Sequence, residues 1–221
     1  MMGRDGSHLK RKKGQPSFLF VGNHPCLDFI NTQIVVRGKP VDLLGGFEDL
    51  LAWLVQAKCI DTTQGKEAMM YWDRAEQERL FGEAMTFRQT LRRMTEHIVA
   101  GEQIPASTVT AINRVFLQCL GYSQVTHVDG HFERGFHFQD EQTPRLLIPL
   151  AEAASDLLCS CDRSLIKKCR NISCVLYFYD TTKNHARNWC SMQLCGNRMK
   201  VAAHYRKKRK LRKPPIAETR R

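Results

Sequence analysis

The sequence predicts a mainly α protein with a small β-hairpin: a helical N-terminal domain followed by a small cysteine-anchored module. Three observations predict it. Apolar residues recur at threes and fours through most of 47–161, the period of helices with one buried face. Asp129-Gly130 sits between two segments of alternating character, the residue pair that a tight hairpin turn favours. Two Cys-x4-Cys pairs, at 169/174 and 190/195, then anchor the last quarter of the chain. At 221 residues there is length for one large or two modest domains with a real core.

Residues 1–15 are polar and basic and read as a disordered arm, with no apolar stretch to serve as a secretory signal. Phe18–Val21 reads as a short strand, broken by Gly22-Asn23-His24-Pro25. Leu27-Asp28-Phe29-Ile30-Asn31-Thr32 follows, and on a helical turn Asp28 and Asn31 share one face. Two roles are open to them: lining a small-molecule pocket, or bonding neighbouring backbone to fix the domain's opening turn. Val36–Gly46, with three glycines and Pro40, reads as a loop. Phe47–Cys59 has a helical period, Thr62 or Thr63 caps a helix over 64–71, and Asp73 opens a longer helix reaching Gly101. Arg88, Arg92 and Arg93 lie off that helix's apolar stripe and read as a solvated face. Pro105 starts a helix ending at Gly121, Tyr122–Phe138 forms the hairpin, and 144–161 is a final apolar helix. The division predicted is 1–15 arm, 16–162 helical domain, 163–213 cysteine module with a basic helix, and 214–221 tail, the domains joined with little slack.

The chain has nine cysteines. Cys169, Cys174, Cys190 and Cys195 form two close pairs separated by the connector 175–189. A zinc ion takes four ligands at tetrahedral corners and prefers thiolates, and a short spacer lets one chain reversal present two sulfurs to one metal. One structural Zn2+ is expected, since four thiolates leave no position for a substrate water. His185 and His204 read as solvent-facing rather than as substitute ligands, and His127, His131 and His137 as ordinary hairpin residues. Cys26, Cys59, Cys119, Cys159 and Cys161 are scattered in apolar surroundings, which suits a reducing cytosol rather than a disulfide scaffold. Val175–Tyr179 is β-branched and aromatic, a strand leaving the first pair, and Asp180–Asn184 is turn chemistry. Arg187–Cys190 is the return strand or an irregular approach. From Cys195 the chain has helix formers until Pro214. Knuckle, strand and turn, then helix is a treble-clef-like arrangement.

The net charge of +12 is unevenly spread. From Arg163 to Arg221 there are 17 Lys and Arg against 2 acids, and the first fifteen residues add five against one. The middle, 16–162, has 12 against 19. A basic stripe on a metal-held helix is the electrostatic footprint of nucleic-acid binding, and it nominates Arg198, Lys200, Arg206, Lys207, Lys208 and Arg209 as phosphate contacts. No apolar run is long enough to span a bilayer, and the thin apolar face of 198–210 argues against a membrane surface. There is no Gly-rich phosphate loop, nucleophile elbow, paired catalytic carboxylates or open metal site, so nothing in the chain asks for an enzyme.

The block running from the first Cys pair through Tyr177-Phe178-Tyr179-Asp180, Arg187 and Trp189-Cys190-Ser191-Met192 to Cys195-Gly196-Asn197-Arg198 resembles the CGNR zinc finger. Leu27–Thr32 resembles the Leu-Asp-Phe-x-Asn-Thr signature of the ABATE domain, which precedes that finger in bacterial stress-induced transcription regulators. The resemblance covers nearly the whole chain. It implies a zinc-dependent DNA-binding transcription regulator. The cysteine usage and the polar start of the chain place it in the cytoplasm, and two further partners are left open: a second copy in a homodimer, and a small-molecule effector suggested by the charge division alone. Asn197 and Arg198, in the name-giving motif, have a second role open, bonding back to the knuckles. RNA binding and a protein-interaction adaptor are the alternative functions.

Overall fold

A computed structural model describes residues 18–128, 130–138 and 145–211. The expected arm at 1–15, the tail at 214–221 and Asp129 of the hairpin turn lie outside the described residues. Among those described, no helix is long and apolar enough to cross a membrane.

The N-terminal part is built from helices α1 (Pro25–Ile30), α2 (Phe47–Gln56), α3 (Thr62–Tyr71), α4 (Arg74–Ala100), α5 (Ala106–Phe116) and α6 (Ile148–Cys159). The longest, α4, runs 27 residues between the two signals that the sequence offers. Asp73 accepts the Glu76 amide at 2.8 Å, and Gly101 takes the left-handed conformation that closes the last turn. Its buried face is Leu80, Ala84, Phe87, Leu91 and Met94, packed with Trp53 and Leu54 of α2 and Leu150, Ala154 and Leu157 of α6. The cap of α3 is Asp61 rather than a threonine; it exchanges hydrogen bonds with Gln64, 2.8 and 2.9 Å, in a capping box. Strands β3 (Gly121–Val128) and β4 (His131–Phe138) pair antiparallel with Val128 opposite His131, as the Asp-Gly turn predicts.

Three readings of the N-terminal half need correction. The glycine-rich stretch 36–46 is not a loop at its start: β1 (Gln33–Val36) and β2 (Lys39–Asp42) form an antiparallel hairpin. Arg37 and Gly38 turn it, with φ of 52° and 80°, the positive pair of a primed two-residue turn. Pro40 is tolerated because this sheet has two strands and each is an edge. Phe18–Val21 is not a strand. It lies irregularly with Phe18 buried, and its end pairs with the C-terminal module, where Gly22 O accepts the Tyr179 amide at 2.7 Å.

Arg88 and Arg92 are not a solvated face; of that trio only Arg93 is exposed. Arg88, 2% exposed, forks onto the Asp42 carboxylate at 2.8 and 2.5 Å and donates to Thr32 Oγ1 at 2.7 Å. Arg92 donates to Ile30 O at 2.5 Å and Val175 O at 3.4 Å. Both guanidiniums tie α4 to the start of the chain, which helical periodicity alone could not reveal.

The C-terminal module starts with β5 (Ile166–Lys168), which pairs antiparallel with β6 (Tyr177–Tyr179), and ends in α7 (Asn197–Leu211). Successive residues of a strand point to opposite faces. Tyr177 and Tyr179 therefore join the helical core together with Ile166, while Phe178 joins a second cluster around the cysteines. Ile34 of β1 crosses the other way, into the cysteine-side cluster.

Leu27–Thr32 is the seam between the two parts. Leu27 and Phe29 are wholly buried in the helical core. Asn31, also wholly buried, accepts the Tyr177 amide at 2.9 Å and donates to Tyr177 O at 2.8 Å, completing a backbone unit of β6. Thr32 donates to Phe29 O at 2.7 Å while accepting from Arg88. Asp28 accepts the Gly22 amide at 2.7 Å, and a Cβ at Gly22 would lie 2.9 Å from both Asp28 Oδ1 and Leu27 Cβ, so only glycine fits there. Both side chains are thus engaged with backbone, and Asn31's partner is 146 residues away rather than in the neighbouring turn.

Two outcomes are expected. Asn31→Ala orphans two buried backbone groups of β6 and should lower the unfolding free energy by about 3 kcal/mol in urea titrations; an unchanged midpoint would remove Asn31 from the seam. Burial pushes the Asp28 carboxyl up to about 6, against the opposing pull of the Gly22 and Val21 amides and Arg187. A folded pKa above the unfolded value gives stability that is full at low pH and is lost as pH rises through the folded pKa. Asp28→Asn should therefore abolish a loss of about 2 kcal/mol between about pH 4 and pH 7, measured as wild type minus variant. Parallel curves would dissociate Asp28 from folding.

Candidate metal centre

The first knuckle reverses the chain between β5 and β6. Cys169 N–H donates to Leu176 O at 2.9 Å, continuing the ladder past the strand ends. Within the turn Asn171 does the shaping: its carbonyl accepts the Cys174 amide at 2.8 Å and its Oδ1 the Ser173 amide at 3.1 Å. The second knuckle is a single wide turn, Met192–Gly196, entered through Ser191. Ser191 Oγ accepts from the Gln193 amide at 3.1 Å, and Ser191 O accepts from Cys195 and Gly196, both at 3.0 Å. The five-residue closure onto the Gly196 amide is how a four-residue spacer still folds back on itself. A Cβ at Gly196 would meet Met192 Sδ at 2.5 Å and Trp189 Cδ1 at 3.1 Å, so a larger residue there requires the half-exposed Met192 side chain to move aside.

These two turns bring Cys169, Cys174, Cys190 and Cys195 together, every sulfur within 4.8 Å of the others. Cys174 Sγ and Cys190 Sγ are 3.8 Å apart. A tetrahedron with Zn–S of about 2.3 Å has sulfur–sulfur edges of about 3.8 Å, so the set fits one structural zinc ion. The surroundings are built for thiolates. Amides of Cys190 and Asn171 point at Cys169, and that of Leu176 at Cys174. Asn171 Nδ2 donates to Cys195 Sγ at 3.3 Å and Arg198 Nη2 to the same sulfur at 3.7 Å. Hydrogen bonds from Cys174 and Cys190 pull Cys169 well below a normal thiol, while the bond to Cys169 and then burial and like charge push Cys174 and Cys190 up.

Around the knuckles, Asp180 is a buried anchor. Burial opposes its charge, but Lys167 Nζ at 2.6 Å, the Thr182 hydroxyl and amide, and the Arg187 amide at 3.0 Å hold it ionised. Arg187 stacks its guanidinium 4.1 Å over the Phe178 ring and donates to Trp189 O, Cys190 O and Val21 O, the last at 2.7 Å. Asn171 is the shaping residue that sequence reasoning did not single out, an Asx residue inside a Cys spacer being the one available signal; Arg187 figured only as part of the motif, without its contacts. The partner of β6 is β5, ahead of the first knuckle, and 187–190 approaches the metal irregularly rather than as a strand.

His185 and His204 are exposed and outside the sulfur cluster. Among the described residues a second group of ligand types, His24, Asp156 and Cys161, lies together. It is satisfied without a metal: His24 Nδ1 accepts the Cys26 amide at 3.3 Å, which leaves the hydrogen on Nε2, donated to Asp156 Oδ2 at 3.3 Å. Asp156 Oδ2 also accepts from Cys161 at 3.7 Å. A cavity of about 620 Å³ opens between α2 and α3, lined by Leu51, Val55 and Met69 among others; neither Asp28 nor Asn31 reaches it.

Of the six basic residues named from sequence, Arg198, Lys200, Arg206 and Lys208 are exposed on α7. Lys207 and Arg209 belong to the same helix, their side chains lying outside the described residues. Arg198 also bonds back to the second knuckle, through Leu194 O at 2.5 Å and Cys195 Sγ. Asn197 is exposed at the first turn.

Removing one sulfur leaves three ligands around an ion that needs four. Protein purified under reducing conditions should carry one zinc per chain by elemental analysis, and Cys174→Ser well under half of that. Full zinc loading of the variant would show that these four cysteines are not the ligand set. Residues 23–160 match the ABATE family, described as "Putative stress-induced transcription regulator", and residues 166–208 match the CGNR zinc finger. No curated protein matches the chain. With the first match spanning more than half of its length and the second covering the four-cysteine centre, this chain belongs to the ABATE family and carries a CGNR zinc finger.

Proposed function

We propose that the protein is a cytoplasmic transcription regulator that binds DNA through α7, with the zinc serving to hold that helix in place. In this reading 16–162 is the sensing half, answering to a small-molecule effector, and 163–213 is the reading half; two copies would read paired half-sites.

The observation that carries it is the state of α7. From Asn197 onward none of its described side chains is buried, although it starts directly from a metal-locked turn. Between 163 and the end of the described helix the one acidic residue is Asp180, and it is buried and fully engaged. An unscreened cationic helix on a rigid base is suited to phosphates, whose contacts release counterions. Arg198, Lys200, Arg206, Lys207, Lys208 and Arg209 are the residues we assign to that contact. The family description supports the regulatory half of the proposal.

Selection from a random duplex library at about 0.15 M salt, with zinc-loaded full-length protein, should enrich a motif that Cys190→Ser abolishes. Replacing Arg206 and Lys208 by Ala should weaken binding across all sequences and flatten the dependence of log K on log salt by about two counterions. No enrichment, with tighter binding to folded RNA than to duplex, would replace DNA by RNA. Failure to bind either near physiological salt would favour a protein adaptor.

A further inference from the structure

We infer that the tip of the first zinc knuckle is part of the same nucleic-acid surface, with Ile172 supplying its apolar contact to the bases and Arg170 a phosphate contact. This rests on the nucleic-acid reading above.

Ile172 is 98% exposed, the largest value among the described large hydrophobic residues, above Phe132 at 77% and Tyr71 at 75%. Its exposure is not that of a slack loop. The residue lies between two cysteines of the metal set, and Asn171 beside it pins the turn through its carbonyl, its Oδ1 and its Nδ2. The side chain is β-branched, so presenting it in one rotamer costs little further entropy on binding.

The tip is also next to the basic helix. Asn171 Nδ2 and Arg198 Nη2 both donate to Cys195 Sγ, so the knuckle and the first turn of α7 meet at one sulfur. Arg170 is exposed on one side of Asn171, as Ile172 is on the other. Farther along α7, Val201 and Tyr205 are 54% and 66% exposed, one turn apart among the cations. An apolar point fixed within a field of positive charge has a specific complement: a polyanion that also offers apolar surface. Duplex DNA has both, phosphates outside and thymine methyls or base faces in the grooves, where aliphatic side chains make methyl contacts or wedge between steps.

The test uses full-length, zinc-loaded Ile172→Ala and Arg170→Ala on the duplex that wild type selects. Ile172→Ala should keep its zinc and its melting temperature, because the side chain is exposed and so leaves no cavity. Its affinity should fall about tenfold with the salt slope unchanged, since no phosphate contact is lost. Arg170→Ala should instead reduce the salt slope by about one counterion and weaken all duplexes alike. Wild-type affinity for Ile172→Ala, within about twofold, would overturn the inference while leaving the helix reading intact. If wild type binds no nucleic acid, both readings fall. If the Ile172→Ala defect appears on a poly-glutamate probe and not on DNA, the knuckle belongs to an acidic protein partner and the inference is overturned.

Discussion

Four cysteine sulfurs within 4.8 Å of one another impose the constraint that the rest of the C-terminal half obeys. Uncompensated, they repel as thiolates or waste their burial as thiols; with one divalent cation they form a closed shell. Closing it fixes two chain reversals, and each reversal has a structural consequence. The first aligns β5 with β6 and so delivers Tyr177 to the helical core. The second is the turn from which α7 springs. A helix with so few buried side chains has little packing to stabilise it, so its direction is inherited from the metal site rather than from a hydrophobic face.

The two parts of the chain are joined by more than a linker. β6 has one face in each cluster, Ile34 reaches into the cysteine side, and Arg187 ties the zinc knuckle to Val21. Asn31 is the central polar connection. A strand of three residues with one hydrogen-bonded neighbour leaves backbone groups unpaired on its other edge, and a buried amide side chain satisfies both groups of one residue there.

Charge separates what packing joins. The helical body is net acidic by composition while the module is strongly basic, and the single acid between 163 and 211 is turned inward onto Lys167 and the Arg187 amide. The outward face of the module is thereby left cationic around its exposed apolar points.

The metal ligands were legible because zinc chemistry is local: residue type and spacing nearly suffice when one turn presents two sulfurs. The long helix was legible for a similar reason, its caps Asp73 and Gly101 lying in the text beside it. Hairpin β1–β2 was hidden by composition, since a positive-φ pair at Arg37-Gly38 looks like any glycine-bearing loop until two strands are seen to pair across it. The buried Arg88 of α4 and the partner of Asn31 were hidden for a different reason: their counterparts, Asp42 and Tyr177, are 46 and 146 residues away. By itself the sequence determined the ligand set, most helices and the basic character of α7, all of which depend on interactions within a few residues. Only the tertiary structure decided that Leu27–Thr32 is the seat of the finger and that Ile172 projects from it. Long-range pairing and exposure are properties of the packed chain and leave no periodic trace in the sequence.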